Sequence, residues 1–348
     1  MYLSEQFETF AGWCSSGAPL YERLARITAR HRELISLAAT APEGRAVPPL
    51  FLASVHAPLL DGVEHPLREY YPSCVDTPKQ PDDDLSPVFR HFCRTYRDRI
   101  EDHLQTRRVQ TNEIGRCAVL YPALAHVTRL VDGPLALVDV GASTGLNLLV
   151  DEYAYQYPDY GRYGADDSPV MITTTVRDDG FPPALERGDE PAIASRVGID
   201  IDPPALDDEA DRRWLRALFW PEHQRRRERF ENAVDVWRKR RPRVVEGDAI
   251  ETLPDVVASI PDERPVCVVN TQALYQFDEA ASERFRSTLR EVAADRTLHW
   301  LSGETQTPTT EAPTMRHARV SADSESVELD SLATYHAHGR WLRWDADA

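Results

Sequence analysis

The chain has 348 residues, enough for about two domains of ordinary size, and its 42% hydrophobic content is too high for a disordered protein. Its 40 Lys+Arg and 57 Asp+Glu leave a net charge of −17, and Lys79 and Lys239 are the only lysines. No run approaches the ~18 apolar residues of a membrane span, and Met1-Tyr2-Leu3-Ser4 opens neither a basic nor an apolar segment of a secretory signal, so a cytoplasmic protein with no membrane partner is expected.

An acidic surface with almost no lysine stays hydrated where salt screens ordinary repulsion, which points to a halophilic cytoplasm. The five cysteines are odd in number and widely spaced, without a C-x-x-C pair. They are expected to be reduced, mostly buried thiols, not zinc ligands or disulfides.

In chain order, the first third reads as helix. Ser4 is placed to cap a first helix with Phe7, Phe10, Ala11 and Cys14 on one face. Pro19 suits a first helical position, and Leu20, Leu24, Ile27, Leu34 and Leu37 follow at helical spacing. The pattern breaks at residues 42–49 and resumes from Leu50 to Leu60, and residues 70–84 read as loop. Ser86-Pro87 opens a helix with Phe89, Phe92, Tyr96 and Ile100 on one stripe. A further helix is expected over residues 109–130, and no strand before residue 134.

Beyond Gly133-Pro134 the pattern changes. Leu135 to Val140 is a short apolar run of the kind that forms a buried parallel strand. It leads through Gly141-Ala142-Ser143-Thr144-Gly145 into a helix-like stretch at 146–153. Residues 155–195, rich in Tyr, Gly, Asp and Pro, read as an insertion with a small hairpin at 170–177. Further strands are expected at 197–202, near 244–245, at 265–270, at 297–301 and near 327–345. Helices are expected at 208–220, 222–240 and 278–294, and a Thr/Pro-rich loop at 305–314. Strands alternating with helices indicate a doubly wound parallel sheet.

The turn after the first expected strand carries the strongest chemical signal. Asp139-Val140-Gly141-Ala142-Ser143-Thr144-Gly145 resembles the nucleotide loop of class I S-adenosylmethionine-dependent methyltransferases, acid-x-Gly-x-Gly-x-Gly, with Ser143 at the middle glycine. Glycines let the backbone turn tightly and approach a ligand, while helix-terminal N–H groups face it. The NAD fingerprint fits less well, since Ser143 and Leu146 fill its second and third glycine positions. Asp200, with Asp202 beside it, ends the next strand, where an acid accepts hydrogen bonds from ribose hydroxyls. Gly247-Asp248-Ala249 ends the third, where the resemblance puts an acid near adenine. Each acid also has a plainer reading as a helix cap. About 55 residues separate Gly145 from Asp200, against ~20 in ordinary nucleotide folds, so the insertion must be looped out.

Gly141-Ala142-Ser143-Thr144-Gly145 also satisfies G-x-S-x-G, the nucleophile elbow of α/β-hydrolases, with Asp278 and His336 or His338 completing the order Ser…acid…His. That fold lays strands and an oxyanion loop before its elbow, and here the upstream region reads as helical. The fourth strand ends Asn270-Thr271-Gln272-Ala273-Leu274-Tyr275. It lacks the Pro-Pro of amino-methylating enzymes, yet Asn270 and Tyr275 are placed to orient a substrate. Within Gln110-Thr111-Asn112-Glu113-Ile114-Gly115-Arg116-Cys117, Glu113 and Arg116 lie three apart on one helical face and can pair.

Arginine runs at 225–229 and 238–241 raise nucleic-acid binding, but Glu222, Glu228 and Glu231 interleave with the first and favour a solvated helix face. His336 and His338 share a strand face, but two histidines without a third ligand specify no metal.

The Gln110 to Cys117 block, Gly141 to Leu148, Gly198-Ile199-Asp200-Ile201-Asp202-Pro203, Arg213 to Glu222 with its Trp-Pro-Glu, Gly247-Asp248-Ala249 and His338 to Trp344 together resemble the family known as domain of unknown function 2332, over nearly the whole chain. That resemblance implies no particular activity.

The fold expected is α/β, a doubly wound, mostly parallel sheet of class I methyltransferase type preceded by an all-helical N-terminal region. Its domains are expected at 1–132 and 133–348. The function expected is S-adenosylmethionine-dependent methyl transfer to an unidentified acceptor. Asp139, Gly141, Ser143, Gly145, Asp200, Asp202 and Asp248 would hold the cofactor; Asn112, Glu113, Arg116, Asn270 and Tyr275 are acceptor-side candidates. A serine hydrolase using Ser143, and a scaffold that kept the fold without the cofactor, remain as alternatives.

Overall fold

The computed structural model describes residues 2–110, 112–305, 312–321 and 326–346. Two compact units emerge, one of Met1–Thr111 with Ala205–Glu228, the other of Asn112–Pro204 with Arg229–Ala348.

The first unit is helical: Leu3–Cys14, Pro19–Arg30, Arg32–Ala38, Val47–Leu60, Leu85–Thr95, Arg97–Thr106 and Glu209–Leu218. Val47–Leu60 is apolar on every side and buried almost throughout, which makes it the central helix of this unit. Tyr2 rather than Ser4 stands at the first N-cap, Asp84 at that of Leu85–Thr95, and the expected aromatic stripe breaks at Tyr96 between two helices. The Trp-Pro-Glu block is structural here. Glu222 accepts the N–H of Leu20 at 2.8 Å, an orphan donor of the helix that Pro19 begins, and Trp220 packs on Phe10 and Tyr21.

Among its described residues the second unit has twelve strands: β1 Leu135–Val140, β2 Ala154–Tyr157, β3 Gly161–Gly164, β4 Met171–Thr173, β5 Thr175–Val176, β6 Ile193–Asp200, β7 Arg243–Glu246, β8 Val266–Thr271, β9 Leu298–Glu304, β10 Thr314–Val320, β11 Asp330–Tyr335 and β12 Trp341–Trp344. Nine form one sheet in the order β5-β12-β11-β10-β9-β8-β1-β6-β7. Pairings from β7 through β6, β1 and β8 to β9 are all parallel, whereas β9 to β12 run as an antiparallel meander. The α/β class and the mostly parallel sheet are therefore as the alternation of strands and helices predicts. β1 and β8 are buried along their whole length, and helices Ala249–Ala258 and Glu279–Val292 pack Leu253, Val256, Phe285 and Leu289 against one face of the sheet.

Several local expectations are corrected. The helix expected over 109–130 is a short 3-10 turn, Ile114–Arg116, followed by Cys117–Thr128, and Thr111 lies outside the described residues. The stretch after Gly145 is a 3-10 helix, Leu146–Glu152. The hairpin of the insertion is β2–β3, not 170–177, and β4 joins it in a three-stranded sheet. Tyr153, Tyr155 and Tyr157 are fully buried there, each hydroxyl donating to a backbone carbonyl, which anchors the segment as core. β10 falls where sequence placed no strand; of the expected loop at 305–314, residues 306–311 lie outside the described part. All five cysteines are free and four are buried.

Candidate functional site

In an open α/β sheet, ligands bind beyond the carboxyl ends of the strands where strand order reverses. That place is β1, flanked by β6 on one side and β8 on the other. The chain leaves β1 through a turn whose backbone is left-handed at Gly141 (φ 76°), Ser143 (φ 51°) and Gly145 (φ 79°). Gly141 is required twice over: by its φ, and because a Cβ there would lie 2.4 Å from the Cβ of Ala273. The close approach read from sequence as an approach to ligand is made by the turn after β8.

The turn is stapled from two sides. The Ile199 carbonyl accepts the N–H of Gly141 at 2.8 Å and of Ala142 at 3.2 Å, and Asp200 Oδ2 accepts that of Ser143 at 2.7 Å. From the other side buried Asn112 donates through Nδ2 to Thr144 Oγ1 at 2.7 Å and to the Ala142 carbonyl at 3.4 Å. Ser143 Oγ is buried there without a hydrogen-bond partner.

Asp139 is 3% exposed. Burial, and after it the charge of Asp200, raises its pKa to about 8 against the pull of Arg116, so it carries a proton at neutral pH. Asp200 Oδ1 accepts the N–H of exposed Asp202 at 3.1 Å. Asp248 caps helix Ala249–Ala258 by accepting the N–H groups of Ile250 (2.8 Å) and Glu251 (3.3 Å).

Residues 112–116 connect the strand tips. Glu113, 2% exposed, places Oε2 3.2 Å from His338 Nδ1. Its Oε1 accepts the Gly115 N–H at 3.0 Å and stands 3.9 Å from Arg229 Nη1. Arg116, expected to pair with Glu113, donates instead to the Thr271 carbonyl at the end of β8 (2.9 Å) and to the Ala337 carbonyl (3.2 Å). Gly115 admits no side chain, since a Cβ would lie 2.4 Å from the His338 carbonyl oxygen.

Of the other acceptor-side candidates, Asn270 is fully buried and turned to the sheet. Its amide donates to Ser302 Oγ (3.1 Å) and Glu304 Oε1 (2.7 Å), while its oxygen accepts from Trp300 Nε1 (2.7 Å). Tyr275 is 60% exposed at the same tip. Sequence reading missed Glu304, which also accepts the N–H groups of Ala273 (2.9 Å), Leu274 (3.1 Å) and Tyr275 (3.3 Å). Its signal was available: β6, β7 and β9 each end in an acid.

The hydrolase parts are not joined. Ser143 Oγ has no partner, Asp278 caps helix Glu279–Val292 through the Ala281 N–H (2.7 Å), and His336 Nδ1 takes the His338 N–H (3.0 Å). Among the arginines, Arg229, Arg238 and Arg240 sit in ion pairs with Glu113, Asp235 and Glu152. Among the described residues, no group of three or more His, Cys, Asp or Glu side chains is placed to hold a metal, and no helix is long and apolar enough to cross a membrane.

Residues 4–344 match a family described as an uncharacterized protein conserved in bacteria, DUF2332. No curated protein matches. Among solved structures, the glycopeptide N-methyltransferase MtfA complexed with (S)-adenosyl-L-methionine is similar at 12% identity, over 64% of this chain and 67% of that one, with a TM-score of 0.22. A likeness of that degree says nothing of activity.

Proposed function

The chain belongs to that bacterial family, and we propose that this member binds S-adenosylmethionine at the carboxyl ends of β1, β6 and β8 and transfers its methyl group to an acceptor substrate. One arrangement carries the reading: a left-handed glycine turn directly after the first strand, at the reversal of strand order, with Asp139 beneath it, Asp200 at the neighbouring tip, and an unpartnered Ser143 hydroxyl. The cofactor supplies an electrophilic methyl group on a sulfonium ion. The 141–145 turn and Ser143 take its methionine end, Asp200 its ribose, and Asp248 stands at the adenine-side tip. A cation brought beside Asp139 favours its ionised form. Rate enhancement then comes mainly from aligning donor and acceptor. We further propose that the protein works in the concentrated salt of a halophilic cytoplasm, the environment its charge suits.

One observation favours the scaffold instead: Ala273 lies against Gly141, and the amides of Gly141, Ala142 and Ser143 already have protein acceptors. Calorimetric titration with S-adenosylhomocysteine in molar KCl separates the two. The proposal expects micromolar binding by the wild type and at least tenfold weaker binding by Asp200→Ala, with scanning calorimetry confirming that both are folded. A folded wild type that gives no heat at millimolar ligand leaves the scaffold.

A further inference from the structure

We propose that Arg116 docks an anionic group of the acceptor, a carboxylate or a phosphate, at the end of β8, with the ring of Tyr275 beside it. This rests on the donor site proposed above. That donor extends from the β1 turn toward the tips of β6 and β7, so the β8 tip, on the other side of β1, is left to the acceptor.

Arg116 is an arginine without an acid. Its Nη1 donates to the Thr271 carbonyl at 2.9 Å and its Nε to the Ala337 carbonyl at 3.2 Å, and among the described residues it makes no ion pair. The chain has 57 Asp+Glu against 40 Lys+Arg, so an acid partner is the ordinary arrangement for a half-buried guanidinium. Arg196 in the same unit shows it, holding the two oxygens of Asp151 at 2.7 and 2.8 Å. Taking a cation partly out of water costs free energy that two neutral carbonyls offset only in part. Those carbonyls belong to separate segments, β8 and the loop before β12, and together they fix the plane of the guanidinium. They engage two of its five N–H donors. A planar guanidinium with donors to spare suits the two oxygens of a carboxylate or phosphate.

Neighbouring acids leave that charge uncompensated. Asp139 is within its electrostatic reach, but burial and Asp200 raise the Asp139 pKa to about 8 and keep it protonated at neutral pH. Glu304 at the same tip is engaged by the N–H groups of Ala273, Leu274 and Tyr275 and by the Asn270 amide. Tyr275 is 60% exposed, and the charge of Arg116 reaches it, opposing the desolvation that raises its pKa. An exposed aromatic ring beside a cation offers an acceptor a surface for its apolar body and a partner for its charge. Arg116 takes no proton and forms no covalent bond. It is a binding residue that sets where the acceptor's nucleophile stands relative to the methyl group.

The test uses the full chain in molar KCl with saturating S-adenosylhomocysteine, and titrates benzoate, phenyl phosphate and benzamide as probes by ligand-observed NMR. The proposal expects benzoate or phenyl phosphate to bind at least about tenfold more tightly than neutral benzamide, and the tighter of the two names the anion. Arg116→Gln should bring that anion down to the level of benzamide, with an affinity for S-adenosylhomocysteine within about twofold of wild type. Arg116→Lys should keep part of the preference, because the charge survives and the planar fork does not. Benzamide binding as tightly as both anions overturns the proposal, and so does a wild type that binds donor and no probe. Those comparisons need only the wild type, so they decide even where Arg116→Gln does not fold. A folded Arg116→Gln protein that retains the anion preference also overturns it. Loss of donor affinity in a folded Arg116→Gln protein assigns Arg116 to the donor's carboxylate and overturns the acceptor role alone. A folded wild type that binds no donor overturns both readings.

Discussion

A methyl group added at Gly141 would meet the Ala273 methyl at 2.4 Å, on a backbone with φ of +76°. Both effects oppose the substitution, so Gly141→Ala should lower stability by about 2–3 kcal/mol. Adding Ala273→Gly should return the steric part and leave about 1 kcal/mol of backbone strain. Urea midpoints of the two single variants and the double variant decide this. An unperturbed Gly141→Ala protein would mean that Ala273 does not lie against the turn. The need for glycine at this position was legible in the sequence, as was its place after a buried strand. Its partner was not, because nothing local links residue 141 to a turn after another strand. Asn112 and Glu113 are similar: their polarity marked them as a site, but only the fold shows one gripping the glycine turn and the other facing His338.

At the scale of the element, the turn after β8 is shaped by Glu304, which collects three consecutive backbone N–H groups and the Asn270 amide. Hydrogen bonds to a charged group are each stronger than neutral ones, and losing the acceptor strands several donors. Glu304→Ala should therefore lower the stability of the α/β unit by about 2–4 kcal/mol, and Glu304→Gln by roughly half as much. Urea denaturation followed by circular dichroism measures both. Two variants within error of wild type would contradict the role given to Glu304. The parallel strands were readable because burial on both faces writes a continuous apolar run, as in β1 and β8. β10 was not, since Thr314 to Val320 mixes Arg316, His317 and Arg319 with its apolar residues. The 109–130 helix was misread because its apolar spacing begins only at Cys117, and Glu113 caps a 3-10 turn before it.

For the molecule as a whole, pH and salt are the informative variables. In the α/β unit, His299 Nδ1 and His317 Nε2 lie 2.8 Å apart, so one donates to the other and the two rings cannot both be protonated. Burial lowers their pKa values to about 4 and about 3, and also lowers that of His126, whose ring stands edge-on to His317. These groups bind protons more weakly folded than unfolded. Their contribution is thus fully present above the ordinary 6.5 and is lost as pH falls toward 4. Asp139, raised to about 8, works in the opposite sense: its contribution is present below 3.8 and is lost as pH rises to about 8. Each group changes stability by at most ~1.4 kcal/mol per pH unit. Three histidines outweigh one aspartate below 6.5, and the aspartate acts alone above it, so stability should peak near 6.5. Urea midpoints across this range test it; a midpoint still rising at acid pH would contradict the neutral histidine pair.

With a net charge of −17, the chain should also gain thermal stability as KCl rises from millimolar to molar. A melting temperature indifferent to salt would remove the halophilic reading.

The central claim is that the turn after β1 holds S-adenosylmethionine. The most direct measurement is the crystal structure of the full chain grown with S-adenosylhomocysteine in molar KCl. The account predicts ligand density with the homocysteine end on the 141–145 turn and the ribose hydroxyls within hydrogen-bond distance of Asp200. Ligand bound at any other place, or a turn still closed by Ala273 with no density at saturating ligand, would contradict it.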